Sequence, residues 1–120
     1  MKKEMIHIWD EKFWVVKSKK ICPEAFANIK DKKEITVIIE EGEINKKDII
    51  KIEKDWKLIT FEIVLDFELV GFIAKISSAL AKAGISIFVV SSYSTDHLLV
   101  KEKDLSQTLD ILKNLKVKLK

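Results

Sequence analysis

The stretch from residue 57 to 119 constrains the fold more than any other, because its apolar pattern changes period in a set order. Leu58 to Leu65 alternates apolar and polar residues with period two and reads as a strand. Phe72 to Ala83 repeats its apolar residues every three or four positions and reads as a helix, followed by strands at Ile85 to Val90 and at His97 to Lys101. Asp104 to Leu115 reads as a second helix and Val117 to Leu119 as a closing strand. The order is βαββαβ, which lays two helices on one face of a four-stranded antiparallel sheet. In such a unit the chemistry depends on the first strand-to-helix junction, here Asp66-Phe67-Glu68-Leu69-Val70-Gly71, and on the sheet edges.

Within these elements, Ile59, Phe61, Ile63 and Leu65 share one face of the first strand while Thr60 and Glu62 share the other. The first helix sets Phe72, Ile73, Ile76, Ala79, Leu80 and Ala83 on one stripe, leaves Lys75, Ser78 and Lys82 outside, and meets a left-handed stop at Gly84. The second opens at Asp104 with Gln107 three residues on, the spacing of a capping box, and turns Leu105, Leu109 and Leu112 inward.

The first half is written less clearly. Phe13-Trp14-Val15-Val16 echoes Phe61-Glu62-Ile63-Val64, and Ile35 to Ile39 echoes Ile85 to Val90 about fifty positions later. Between the members of each pair stands a helix-start signal: Pro23 in the first copy, with a short helix expected over Cys22 to Ile29, and Gly71 in the second. No clear strand reads between Glu40 and Asp55, and residues 46 to 54 fit either a helical turn or a loop beneath Trp56. The boundary falls at Lys54 to Lys57, dividing residues 1–56, a truncated copy, from 57–120, a complete one. There is no Gly/Ser linker, so the two halves are expected to pack rigidly, with Trp56 buried as a staple.

With 120 residues, each half alone would be marginal, so a shared core and an oligomer are expected. An apolar fraction of 48% excludes a disordered chain. No apolar run reaches the ~20 residues of a membrane span, and the N-terminus lacks a signal-peptide core, which points to the cytosol. The single cysteine, Cys22, forms no internal disulfide and has no histidine near it in sequence, as fits a small packing residue. All basic residues are lysine. Without a guanidinium fork, an anionic ligand must be held by lysine or by backbone N–H groups. The net charge of +3 comes from interspersed signs such as Asp31-Lys32-Lys33-Glu34, unlike a nucleic-acid stripe.

Gly71 at the junction, the helix ending in Ala83-Gly84, the strand Ile85-Ser86-Ile87-Phe88, and Ser91-Ser92-Tyr93-Ser94-Thr95-Asp96 leading into Leu98-Leu99-Val100 together resemble the ACT domain. More closely, they are similar to the paired-ACT group that includes aspartate kinase regulatory modules and cytosolic arginine sensors. Pro23, Phe26, Glu34 to Ile38 and Asp55-Trp56 extend the likeness to roughly residues 13 to 115. His97 stands where that group usually has an aromatic residue, so a ligand's identity does not carry over. The resemblance implies an α+β, ferredoxin-like fold in tandem units, and a free amino acid bound between two modules. Its site would use the first strand-to-helix loop, Asp66, Phe67, Leu69, Val70, Gly71 and Phe72, and the end of the second strand, Val90, Ser91 and Ser92. Amides at a helix start suit the ligand's carboxylate. Asp66 and Asp96 are the nearest acids for its ammonium group.

Enzyme chemistry finds no support in the residues. His7 and His97 lie in different elements without metal-ligand spacing, and Gly42, Gly71 and Gly84 stand alone, so no phosphate loop is present. Acylphosphatase chemistry on this fold needs an arginine cradle. An RNA-binding sheet needs aromatics on its third strand, where His97-Leu98-Leu99-Val100-Lys101 has none. The expected protein is a non-catalytic, cofactor-free, cytoplasmic amino-acid sensor acting as a homodimer, with no nucleic-acid or membrane partner. A ligand-free dimerisation module that regulates a partner enzyme is the alternative.

Overall fold

A computed structural model describes residues 4–63, 71–115 and 118–119. The chain forms two compact units, Asp10–Trp56 and a helical unit that combines Met1–Trp9 with Lys57–Lys120. Two long strands contribute residues to both units, β1 (Glu4–Ser18) and β4 (Ile49–Ile63).

The helical unit adds α1 (Phe72–Lys82), β5 (Ile87–Ser91), β6 (Asp96–Lys101), α2 (Leu105–Asn114) and β7 (Lys118–Leu119). Its strands follow the order β7-β1-β4-β6-β5. The core joins Ile6, Ile59, Phe61, Leu98 and Val100 from the sheet to Phe72, Ile76 and Leu80 from α1 and Leu112 from α2. Each such side chain contributes roughly 2 kcal/mol relative to an exposed one. Phe61 and Phe72 meet edge to face at 5.4 Å between ring centroids. α1 ends in a Schellman motif. Ile85 N–H donates to Leu80 O at 3.0 Å and Gly84 N–H to Ala81 O at 3.0 Å, with Gly84 at φ 76°.

Two expectations are corrected in this unit. The final strand does not complete a self-contained four-stranded sheet, because the start of β1 stands between β7 and β4. Met5 lies opposite Lys118 and Ile6 opposite Leu119 in a parallel ladder. Ile6 and Ile8 alternate with His7 and Trp9, which gives this segment one apolar face, and Ile6 is buried in the core. The capping box at Asp104 is also absent, for no side chain caps α2. A 3₁₀ turn, Glu102–Asp104, feeds the helix instead, and the buried Thr108 Oγ1 donates to Asp104 O at 2.7 Å.

The unit of residues 10–56 adds β2 (Ala27–Lys30) and β3 (Ile35–Glu40), in the order β2-β3-β1-β4. β1 and β3 pair antiparallel from Phe13 opposite Glu40 to Ser18 opposite Ile35, and β2 joins β3 from Ala27 opposite Ile38 to Lys30 opposite Ile35. Its core holds Val16, Val37, Ile39 and Ile44, with Trp14, Cys22, Ala25, Ile49 and Ile52 packed against it.

No α-helix occurs among the described residues here, so the helix expected over Cys22 to Ile29 is replaced by a loop and β2. The cause is local. Asn28 Oδ1 accepts from Cys22 N–H at 2.9 Å while Asn28 Nδ2 donates to Cys22 O at 2.8 Å, closing the loop more firmly than so short a helix could hold itself. Residues 46 to 54, left open by the sequence, form a 3₁₀ turn, Lys46–Asp48, capped by the Asn45 side chain, and then enter β4. The strand expected from Leu58 therefore begins at Ile49, and Lys54 to Lys57 lies inside it, with the division between the two units falling within the strand after Trp56. Val64 and Leu65 lie outside the described residues. Asp55 adopts φ 65°, a left-handed conformation that Asp tolerates better than most residues. The echo of Ile35–Ile39 with Ile85–Val90 is not an equivalence of strands. β3 lies between two neighbours, whereas β5 is a sheet edge.

Candidate functional site

Gly71 starts α1 at φ 91° and offers no side-chain cap. The first helical bond runs from Lys75 N–H to Gly71 O at 2.9 Å, so the amides of Phe72, Ile73 and Ala74 precede the intrahelical ladder. Sequence reasoning placed the donors at Val70, Gly71 and Phe72. Of these, Phe72 is the first residue of α1, where the amides of Ile73 and Ala74 join it ahead of the ladder. Asp66, Phe67, Leu69 and Val70 lie outside the described residues. No Cβ conflict surrounds Gly71, so its left-handed φ, not crowding, favours glycine there.

The remaining candidates gather on the β5–β6 hairpin. Val90 pairs with His97 and Ser91 with Asp96. Ser91 Oγ donates to Asp96 Oδ1 at 2.6 Å, and the tip is held by Ser92 N–H to Thr95 O at 2.8 Å and Ser92 Oγ to the same oxygen at 3.1 Å. Tyr93 at the tip is fully exposed. The short turn after α1 makes helix and strand run in opposite directions, and both are about 16 Å long. Their lengths match, so Gly71 and Ser91 lie at the same end of the unit.

β5 is a terminal strand, and Phe88 and Val89, on opposite faces, are 37% and 40% exposed. Its run Ile-Phe-Val-Val-Ser carries no charge or proline to block edge pairing.

Behind the hairpin, His97 is buried and its Nδ1 lies 2.9 Å from Thr60 Oγ1, which also accepts from Trp9 Nε1 at 2.8 Å. The Thr60 hydroxyl thereby bonds to both rings, linking β1, β4 and β6. Burial lowers the His97 pKa below 6.5, with the Asp96 carboxylate acting in the opposite direction. Trp9 was not foreseen, although its alternation with Ile6 and Ile8 marks it as the other face of a strand.

Among the described residues, no three of the His, Cys, Asp and Glu side chains are grouped to hold a metal ion, and no helix is long and apolar enough to cross a membrane. The ACT domain model matches residues 51–114. The chain belongs to the ACT domain family. A protein of Agobacterium tumefaciens with a crystal structure shares 25% identity and a TM-score of 0.86, the match covering 98% of this chain and 92% of that one. Aspartate kinase from Clostridium acetobutylicum, an allosteric enzyme, is 14% identical with a TM-score of 0.71, the match spanning 91% of this chain and 33% of the kinase. A chain assigned as a C-terminal regulatory domain of aspartate kinase from Porphyromonas gingivalis is 20% identical with a TM-score of 0.60, covering 95% and 96%. No curated protein matches the chain. The likeness in fold to these structures extends over nearly the whole chain, and the ACT model itself covers residues 51–114.

Proposed function

We infer that this ACT protein is a non-catalytic regulator that binds a free amino acid at the start of α1, next to the β5 edge of a second copy. The uncapped helix start with Gly71 in the left-handed region carries the reading. Its amides and the helix dipole suit a carboxylate, and no arginine is required. The ligand's ammonium group meets Asp96, whose Oδ1 is occupied by Ser91 while Oδ2 has no partner among the described residues. Asp66 is the second acid proposed for that role. The β5 edge supports a homodimer, since an unblocked apolar edge strand pairs readily with its own kind. The unit of residues 10–56 is proposed as a second ACT-like module. Its first strand lies between the third and the fourth, as in a βαββαβ sheet, and loops stand where the helices would be. Both modules would act in the cytoplasm on a target enzyme.

A thermal-shift screen of the standard amino acids tests this. A ligand at ~100 times its Kd adds about 2.7 kcal/mol. Gly71→Val should abolish the shift, and Asp96→Asn should weaken binding by roughly 1.5 to 3 kcal/mol while both variants stay folded. The exposed β5 edge also fits a second reading, a ligand-free dimerisation module, under which no amino acid shifts the melt although light scattering shows a dimer.

A further inference from the structure

In the linear sequence Lys17 and Lys19 stand about fifteen positions from Lys32 and Lys33, and the fold brings the two pairs together. At one end of its sheet, Lys17 and Lys19 from the end of β1 and Lys32 and Lys33 from the β2–β3 turn line an open cavity of about 430 Å³ together with Ser18, Asp31, Glu34, Ile35 and Ile50. None of these four ammonium groups has an ion-pair partner among the described residues, whereas the neighbouring Lys20 reaches Asp48 at 3.8 Å.

Both lysine-bearing turns are held by their own bonds. Asp31 Oδ1 accepts from Lys33 N–H at 2.8 Å and Glu34 N–H at 2.9 Å, which holds its carboxyl below the ordinary carboxylate range and keeps it ionised. Ser18 Oγ donates to Lys20 O at 2.8 Å and accepts from Lys20 N–H at 3.2 Å. Asp31 and Glu34 balance part of the lysine charge, leaving the cavity with an excess of two positive charges if all four lysines are protonated. Its wall is not wholly polar. Ile50 is 50% exposed and Ile35 is half-buried beside it. Like charges brought together in this way repel one another unless an anion joins them.

We propose that this cavity binds a small organic dianion with an apolar body, a phosphate monoester or an aromatic dicarboxylate, with the lysines meeting the charges and Ile50 the apolar part. This binding uses no residue of the amino-acid site. Lysine holds such groups as a point charge, so affinity is modest and falls with salt.

The test is amide chemical-shift titration of the full chain at low ionic strength with phenyl phosphate, phthalate and inorganic phosphate. Saturable shifts at Lys17 to Lys19 and Asp31 to Ile35 with phenyl phosphate or phthalate, diminishing as sodium chloride is added, are expected, and the tighter binder names the ligand class. The double variant Lys32→Glu, Lys33→Glu should weaken binding by about tenfold, the scale of two exposed charge reversals, with its other signals unmoved. Ile50→Ser should bring phenyl phosphate down to the affinity of inorganic phosphate. Absence of saturable shifts at these amides, or equal binding by the double variant, overturns the proposal. Equal affinity of the wild-type protein for phenyl phosphate and inorganic phosphate does the same.

Discussion

In the helical unit the crossovers between strands are α1 and the 3₁₀ turn with α2, whereas in the unit of residues 10–56 they are the loop of residues 19–26 and the stretch of residues 41–48 with its single 3₁₀ turn. The strands of both are ordered so that the first of the crossover pair lies inside the sheet. What changes is the covering layer. Helices supply regular apolar stripes, Phe72, Ile76 and Leu80 on α1, while the loops supply scattered residues, Cys22, Ala25 and Ile44. Helices also leave unbonded amides at their starts, which loops closed by Asn28 and Asn45 do not. One unit can therefore meet an anion with main-chain dipoles, and the other must use lysine side chains.

The sharpest way to break this comparison is to make the same truncation on each side. Ile76 and Ile39 are both 1% exposed. Ile76→Ala should cost about 4 kcal/mol, because α1 holds the cavity open, and Ile39→Ala about 2 kcal/mol, because a loop layer can settle into it. Urea denaturation reads both, and equal costs would show that the covering layer does not matter. Trp56, 4% exposed, should cost on the order of 3 kcal/mol as alanine, and a variant that melts like the wild type would remove the indole from the stabilising set. A smaller effect, about 1 kcal/mol, is expected for Gly71→Ala, since no atom crowds its Cβ position and only the left-handed φ resists. The same method shows whether the helix start tolerates a side chain.

The smallest effect concerns pH. His97 has a folded-state pKa below the unfolded 6.5, so its contribution is complete above that pH and is lost as pH falls below it, where the unfolded chain takes up the proton first. His97→Gln should flatten the melting temperature in that window. An unchanged slope would assign it to another group.

The helical unit was legible because its signals are local: the stripe from Phe72 to Leu80, the stop at Gly84 and the alternation around Phe61 each sit within a few residues. Strand β4 was half hidden. Lys51, Glu53, Asp55 and Lys57 occupy the parity that Ile59 and Phe61 take further on, so the polar-apolar alternation inverts inside one strand, at the place where Asp55 is left-handed. Pro23 and the apolar residues after it imitate a helix start, and only the pairing of Asn28 with Cys22 decides otherwise. The candidate site residues Gly71, Ser91 and Asp96 were read from turn chemistry and family likeness, and their binding role stands as a proposal. The Thr60–His97 contact joins positions 37 apart, and no local pattern encodes it.

The parallel ladder of β1 with β7 ties the opening residues of the described chain to its closing ones. The pair Ile6 and Leu119 lies 113 positions apart, so the ladder closes over a long stretch of chain and is expected among the later contacts to form in folding. A substitution that unpairs either strand would therefore loosen one and the same ladder.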